Sequence, residues 1–248
     1  MRNIWTIAKR EYNQYFISPI AYVVAVALLT LVGGYFAILL LAANQQAASG
    51  FGFVPGINEV NNLFAFLLLI ASPALTMRLL ADETRTGTIE LLLTAPVRDF
   101  ELVFGKWLGS FLFVLSLIAV TFIYPVILNN LVSPGIDQKA LISSYLGLIL
   151  LSASFLAIGV GLSAVFSNQI TAFISTLAVF IALWWFIGIP ASLLPVGGEF
   201  FRYMVMNSHF GGAFNAGVIN LSDIVYFASL IALGLFTGTV AIEIRRWK

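Results

Sequence analysis

Few side chains in this chain could do covalent or metal chemistry. There is one histidine, His209, and no cysteine. That removes disulfides, thiolate nucleophiles and Cys-based metal sites. Intramembrane proteolysis needs a Ser–His dyad, paired Asp or HExxH, and the sequence offers no second His, no HExxH and no Asp within an apolar run. Met204, Met206 and Asn207 stand close to His209 and could form a transient soft-metal site with it. Hydrogen bonding within a hairpin is the stronger account of a lone histidine. Gly105-Lys106 is the sole Gly-Lys pair, with Phe100 five residues earlier and Trp107 after it. The phosphate-cradling pattern G-x-x-x-x-G-K-[ST] is therefore absent. The chain reads as no enzyme, with no catalytic residue, metal ligand or bound cofactor of its own.

The chemistry that remains is electrostatic, and it is gathered in one place. Residues 78–106 read RLLADETRTGTIELLLTAPVRDFELVFGK and hold Arg78, Asp82, Glu83, Arg85, Glu90, Arg98, Asp99, Glu101 and Lys106. Arg78 and Asp82 are four apart and can pair on a helix. Thr86-Gly87 permits a turn. Thr88 can cap a short helix over 89–94, with Glu90 in its first turn, where the helix dipole favours a carboxylate. Ala95-Pro96 ends it. Leu91, Leu92 and Leu93 are left exposed between two charged elbows. This is either a docking knob for a soluble partner or a connector whose leucines rest on the bilayer.

Those elbows need long apolar helices to hold them. The chain has 248 residues, is 60% hydrophobic and only 9% charged, and has a mean hydropathy of +1.01. Soluble domains carry about 25% charged residues. A soluble enzyme, a disordered tail and a nucleic-acid binder are excluded. A spanning helix needs about 20 apolar residues, and charge-free runs place six spans near 19–43, 61–81, 103–129, 141–166, 170–190 and 223–243. The break at Ser167-Asn168-Gln169 divides the fourth from the fifth. A barrel would show alternating segments of about ten residues instead. The fold class is all-α, a polytopic membrane protein.

The flanks orient it. Arg2, Lys9, Arg10, Arg78, Arg85, Arg98, Lys106, Arg245, Arg246 and Lys248 fall on one side, and Lys139 and Arg202 on the other. The positive-inside rule puts both termini in the cytoplasm. The first apolar run is too long for a signal-peptide core. Before it, residues 1–18 form an amphipathic interfacial helix. Ile4, Trp5, Ala8, Tyr12, Tyr15 and Phe16 share one face, and Arg2, Lys9, Arg10, Asn13 and Gln14 the other, with Ser18-Pro19 as the break. Residues 191–222 are too long for a simple connection and read as two short helices re-entering the outer leaflet. Phe200, Phe201, Tyr203, His209 and Phe210 there are candidates for an outer gate; plain packing over the span ends is the alternative. Ala153, Ala157 and Gly161, with Gly234 and Gly238, permit close helix approach, within the bundle or at a dimer face. No ionisable residue falls at mid-span, which argues against a proton-coupled secondary transporter.

Leu75-Thr76-Met77-Arg78-Leu79-Leu80-Ala81-Asp82-Glu83 followed by Gly87-Thr88-Ile89-Glu90-Leu91-Leu92-Leu93-Thr94-Ala95-Pro96 resembles the region after the second span of type-2 ABC exporter permeases, of the gliding-motility-type (GldF-like) branch. Ala8-Lys9-Arg10-Glu11, Phe16-Ile17-Ser18-Pro19-Ile20-Ala21-Tyr22, Asn168-Gln169, Ser208-His209-Phe210, Asp223-Ile224-Val225-Tyr226 and Arg245-Arg246-Trp247 extend the likeness along the whole chain. Asp82 stands where many relatives carry Glu. The resemblance implies one permease domain over 1–248. Its cytoplasmic coupling region, 82–100, would touch an ATP-binding subunit through Glu83, Arg85, Gly87, Thr88, Glu90, Leu91 and Pro96. It implies a second permease copy or related permease, auxiliary subunits with outer domains in some systems, and ATP and Mg held by the partner. The expected role is ATP-driven export across the bacterial inner membrane; a membrane scaffold that transports nothing is the alternative.

Overall fold

The structure is a computed structural model and describes residues 2–48, 55–88, 97–132, 135–194 and 197–246. Every regular element among the described residues is helical. The first, α1 (Arg2–Tyr15), stops before Ser18, and Pro19 opens α2 (Pro19–Ala48). Proline suits a first helical turn, where its missing N–H is not needed. On α2, Ala21, Leu28, Val32, Phe36 and Leu39 are buried, whereas Val23, Val26, Leu31, Ile38 and Leu41 are exposed. A helix apolar all round but buried along one stripe is held on that stripe and meets lipid elsewhere.

Next come α3 (Ile57–Thr76) and, after a turn, α4 (Ala81–Arg85). Then α5 (Asp99–Thr121) passes through a bend at Phe122 into α6 (Ile123–Leu131). The centre of the bundle is α7 (Gln138–Val165), on which Leu148, Leu151, Phe155, Leu156, Ala157 and Val160 have no exposed surface. Asp137 starts it by accepting the Lys139 N–H at 2.9 Å. Asn168 starts α8 (Gln169–Trp184) in the same way, accepting the Ile170 N–H at 2.8 Å. The polar break expected between these two helices is where they part. After a 3-10 turn (Phe186–Gly188) come α9 (Ile189–Leu193), α10 (Gly198–Met204), α11 (Met206–Phe210) and a second 3-10 turn (Phe214–Ala216), before α12 (Leu221–Arg246).

Among the described residues, five stretches are long and apolar enough to cross a membrane: Pro19–Gln46, Ile57–Arg85, Asp99–Leu131, Gln138–Val165 and Leu221–Arg246. The chain is a multi-pass membrane protein. α8 has 16 residues, about 24 Å at 1.5 Å per residue, against a hydrocarbon core of about 30 Å. The span expected over 170–190 is thus one short helix followed by small pieces, beginning where Trp185 leaves the helical conformation. The stretch 191–222 holds more short helical pieces than the two expected. α5 begins at Asp99, upstream of the expected 103, because the Glu101 carboxylate accepts the Arg98 N–H at 3.2 Å.

The small residues serve the bundle itself. A Cβ on Gly161 would lie 2.5 Å from the Gly234 carbonyl oxygen, and one on Gly234 2.5 Å from the Ala157 carbonyl carbon. α7 and α12 therefore touch backbone to backbone, as the spacing predicts. Both ends of the chain meet at the first turn of α5. The Asn3 amide donates to Glu101 at 3.2 Å, and Arg246 pairs with Asp99 at 2.6 Å. This is the terminal end of the bundle. The short pieces between α8 and α12 lie at the opposite end, where the Asn215 amide donates to the Asn58 carbonyl at 2.8 Å.

Candidate functional site

At the terminal end, α1 lies across α5. Gly105 and Gly109 make this possible: a Cβ on Gly109 would stand 2.8 Å from the Ala8 carbonyl oxygen, and one on Gly105 would stand 2.8 Å from the Ile7 side chain. The face of α1 that is buried runs through Ala8, Glu11 and Tyr15, whereas Trp5 and Phe16 are exposed. The sequence pattern put Trp5 and Phe16 on the apolar face of an interfacial helix, and their exposure leaves them to meet the bilayer. That pattern passed over Glu11, because spacing alone cannot register a carboxylate that finds a partner.

That partner is Lys106, whose side chain is only 2% exposed. Its ammonium lies 2.9 Å from Glu11 Oε1 and 2.8 Å from Glu83 Oε1. Arg10, half-exposed, adds a second cation 3.1 Å from Glu11 Oε1. Three elements distant in sequence, α1, α4 and α5, are thereby tied through one ammonium. In a low-dielectric site such charge-assisted bonds are strong, and leaving any member unpaired is costly. Glu83 Oε2 is enclosed with no hydrogen-bond partner among the described residues.

Tyr15 closes the same site. Its hydroxyl donates to the Leu75 carbonyl at 3.0 Å, and its ring stacks on Phe113 at 4.7 Å. Burial, reinforced by the Glu11 charge, pushes the Tyr15 phenol up, so it remains a neutral donor. A cavity of about 110 Å³ opens beside it, lined in part by Glu11, Ser18, Arg78, Glu83 and Lys106.

The expected Arg78–Asp82 pair does not form. Arg78 donates to Ser18 Oγ at 3.2 Å, while Asp82 pairs with Arg85 at 3.0 Å and accepts from the Gln169 amide. The reason is local. α3 ends at Thr76 and the chain turns through 77–80 before α4 begins, so residues 78 and 82 are not on one continuous helix. Ser163 of α7 fixes this turn: its Oγ lies 3.1 Å from both the Leu80 and Ala81 nitrogens, accepting from them. After α4, Gly87 adopts φ +74°, a left-handed conformation that favours glycine. Thr86 and Thr88 hydroxyls donate back to the carbonyls of Asp82 and Glu83. The helix expected over 89–94, with Glu90 and Leu91, lies outside the described residues, as does Pro96. Glu83, Arg85, Gly87 and Thr88 are therefore brought together at the root of that loop. Glu83 points into the bundle, and Arg85 is exposed.

The residues considered for an outer gate do not form one cluster. Phe200 is exposed and Phe210 fully buried. His209 and Tyr203 come together with Tyr226: the histidine ring stacks on Tyr226 at 4.0 Å and meets the edge of Tyr203 at 4.9 Å. His209 Nδ1 lies 2.6 Å from Asp223 Oδ1, and Nε2 2.6 Å from the Tyr203 carbonyl oxygen. Asp223, Glu11 and Lys106 are the site residues the sequence reading missed. Glu11 was legible in one respect: it falls between Ala8 and Tyr15 on a single helical face.

A family model described as ABC-2 family transporter protein matches residues 5–199, well over half of the chain. It contains the Glu11, Glu83 and Lys106 site and ends before His209 and Asp223. No curated protein matches.

Proposed function

Because the chain belongs to the ABC-2 transporter family, we propose that it is the membrane-spanning permease of an ATP-driven exporter, moved by a separate ATP-binding subunit. Family membership supports a membrane transport component, and members of the family typically pair with such a subunit. The likeness of its loop and terminal motifs to the gliding-motility-type branch is the basis for assigning it there. The observation that carries the coupling role is the Lys106 junction. Residues 82–100 receive the partner, and any displacement of Glu83 at the root of that loop is passed to α5 and α1 through one ammonium bonded to both carboxylates. Rigid transfer to the spans then shifts the cavity between its inward and outward states. ATP and Mg are held by the partner, and two permeases form the membrane unit.

Six passes with both termini cytoplasmic fit this role, with α8 and the short pieces after it making the fifth. The meeting of both chain ends at α5 supports an even number of passes. A chain free of cysteine makes the topology testable: single cysteines at Ser133, Ser167 and Asn220 should label from outside, inside and outside. Any other pattern overturns six passes.

Co-purification with the ATP-binding subunit and measurement of ATP turnover test the coupling. Gly87→Pro forces a residue fixed near φ −65° into a position at +74°, and Glu90→Ala removes the carboxylate at the expected helix start. Both should leave the complex assembled and lower its transport-linked ATP turnover. Unaltered turnover in an intact complex rejects the coupling role.

A further inference from the structure

We propose that the cavity between α1, the start of α2 and the end of α3 seats the phosphodiester of an anionic membrane phospholipid, with Arg78 as its cation. This needs only that the chain spans a membrane and does not depend on the transport reading.

Arg78 is the cation left over on the cavity wall. Three carboxylates stand on that wall, and each has a cation of its own: Glu11 and Glu83 share Lys106, with Arg10 3.1 Å from Glu11, and Asp82 pairs with Arg85 at 3.0 Å. Among the described residues no carboxylate pairs with Arg78, and its bond is to the neutral Ser18 hydroxyl at 3.2 Å. The residue is half-buried and lines the cavity. A guanidinium partly withdrawn from water needs an anion, and its planar fork offers paired N–H donors that fit a phosphate. The cavity has room for one. Its volume is about 110 Å³, where a single water needs only about 10–15 Å³. Gln14 and Ser18 add neutral polar groups to the wall. Ile20 and Ala21 complete it from the first turn of α2, where the helix dipole favours an anion.

The surroundings make that anion a lipid's. One membrane-crossing stretch begins at Pro19, beside the cavity, and the next ends at Arg85, just beyond it, so the cavity lies at the level of the headgroups. An apolar track leads away from it. Ile20, Val23, Leu31 and Ile38 are all exposed, and at about 3.6 residues per turn they share one face of α2. Ile20 therefore belongs both to the cavity wall and to the start of a lipid-facing stripe. A free phosphate would fill the cavity and leave the stripe unused. A phospholipid uses both, with its phosphate on Arg78 and an acyl chain along α2. An anionic headgroup is favoured over a zwitterionic one, because a headgroup ammonium would bring a further cation to a wall whose carboxylates are already paired.

The test is native mass spectrometry of the full chain in detergent, titrated with phosphatidylglycerol. It is expected to hold this lipid in preference to phosphatidylethanolamine. Arg78→Gln should weaken binding about tenfold, whereas Arg202→Gln, an exposed arginine outside the cavity, should leave it unchanged. Ile20→Trp narrows the cavity mouth while keeping every charge, and it should weaken binding as well. Inorganic phosphate at the same concentration should not displace the lipid. Equal binding by Arg78→Gln and the unmodified chain, equal uptake of phosphatidylethanolamine, or displacement by inorganic phosphate overturns the proposal. If Arg78→Gln fails to fold, unchanged binding in Ile20→Trp overturns it instead.

Discussion

The two ends of the molecule solve the same problem with different chemistry. Each sets a buried carboxylate against a nitrogen base on another helix. At the terminal end the base is Lys106, shared by Glu11 and Glu83, with Arg10 behind it, and the Glu11 bond spans 95 residues of chain. At the opposite end it is His209, held one to one by Asp223 only 14 residues away and enclosed by aromatic rings. The first junction ties three helices through one side chain and suits a mechanical link across the bundle. The second fastens a local corner, the short helices to the start of α12. The family match divides along the same line, covering the lysine junction and stopping before the histidine pair.

The sharpest way to break this contrast is Lys106→Met. It leaves the buried Glu11 and the partly buried Glu83 with only the half-exposed Arg10 beside them and should cost about 3–5 kcal/mol, read as a drop in melting temperature in nanodiscs. Adding Glu11→Gln should recover part of that loss. A cost under about 1 kcal/mol would mean the junction carries no load. Gly105→Val should cost about 1–3 kcal/mol by overpacking, because it pushes α1 off α5 against the apolar Ile7 side chain. Faster proteolysis of α1 would report the separation. Asp223→Asn should cost about 1–3 kcal/mol, less than Lys106→Met because it alters one bond where the lysine change removes two. An equal cost at the two ends would erase the distinction. The smallest effect belongs to Arg85→Ala, an exposed pair with Asp82, expected to change stability by less than about 1 kcal/mol yet to weaken co-purification of the ATP-binding subunit.

Much of the scaffold was legible because lipid imposes simple constraints. Charge-free runs located the long helices, Pro19 and Asn168 marked real breaks, and the glycines at 161 and 234 marked the closest helix contact. The stretch after Asn168 was harder to read. Trp184, Trp185 and Phe186 are as apolar as the helix before them, and hydropathy cannot register that the helix stops there. The charged pairings were not legible at all. Glu11 and Lys106 are 95 residues apart, a separation no local pattern encodes, and Asp223 reads as the polar edge of a span until His209 is seen against it. Arg78 and Asp82 failed in the opposite sense. Their spacing promised a pair, and the turn after Thr76 removed the helix that would have made it.

The distance between Glu11 and Lys106 along the chain also has a consequence in time. Residues are added at about 5–20 per second, so Glu11 waits on the order of ten seconds before its ammonium partner has been synthesised. Until then α1 has no glycine-lined surface to lie on and its carboxylate has no counter-ion. α1 is therefore seated only after α3 and α4 have been made, and its docking reports that α5 has been threaded in the correct sense.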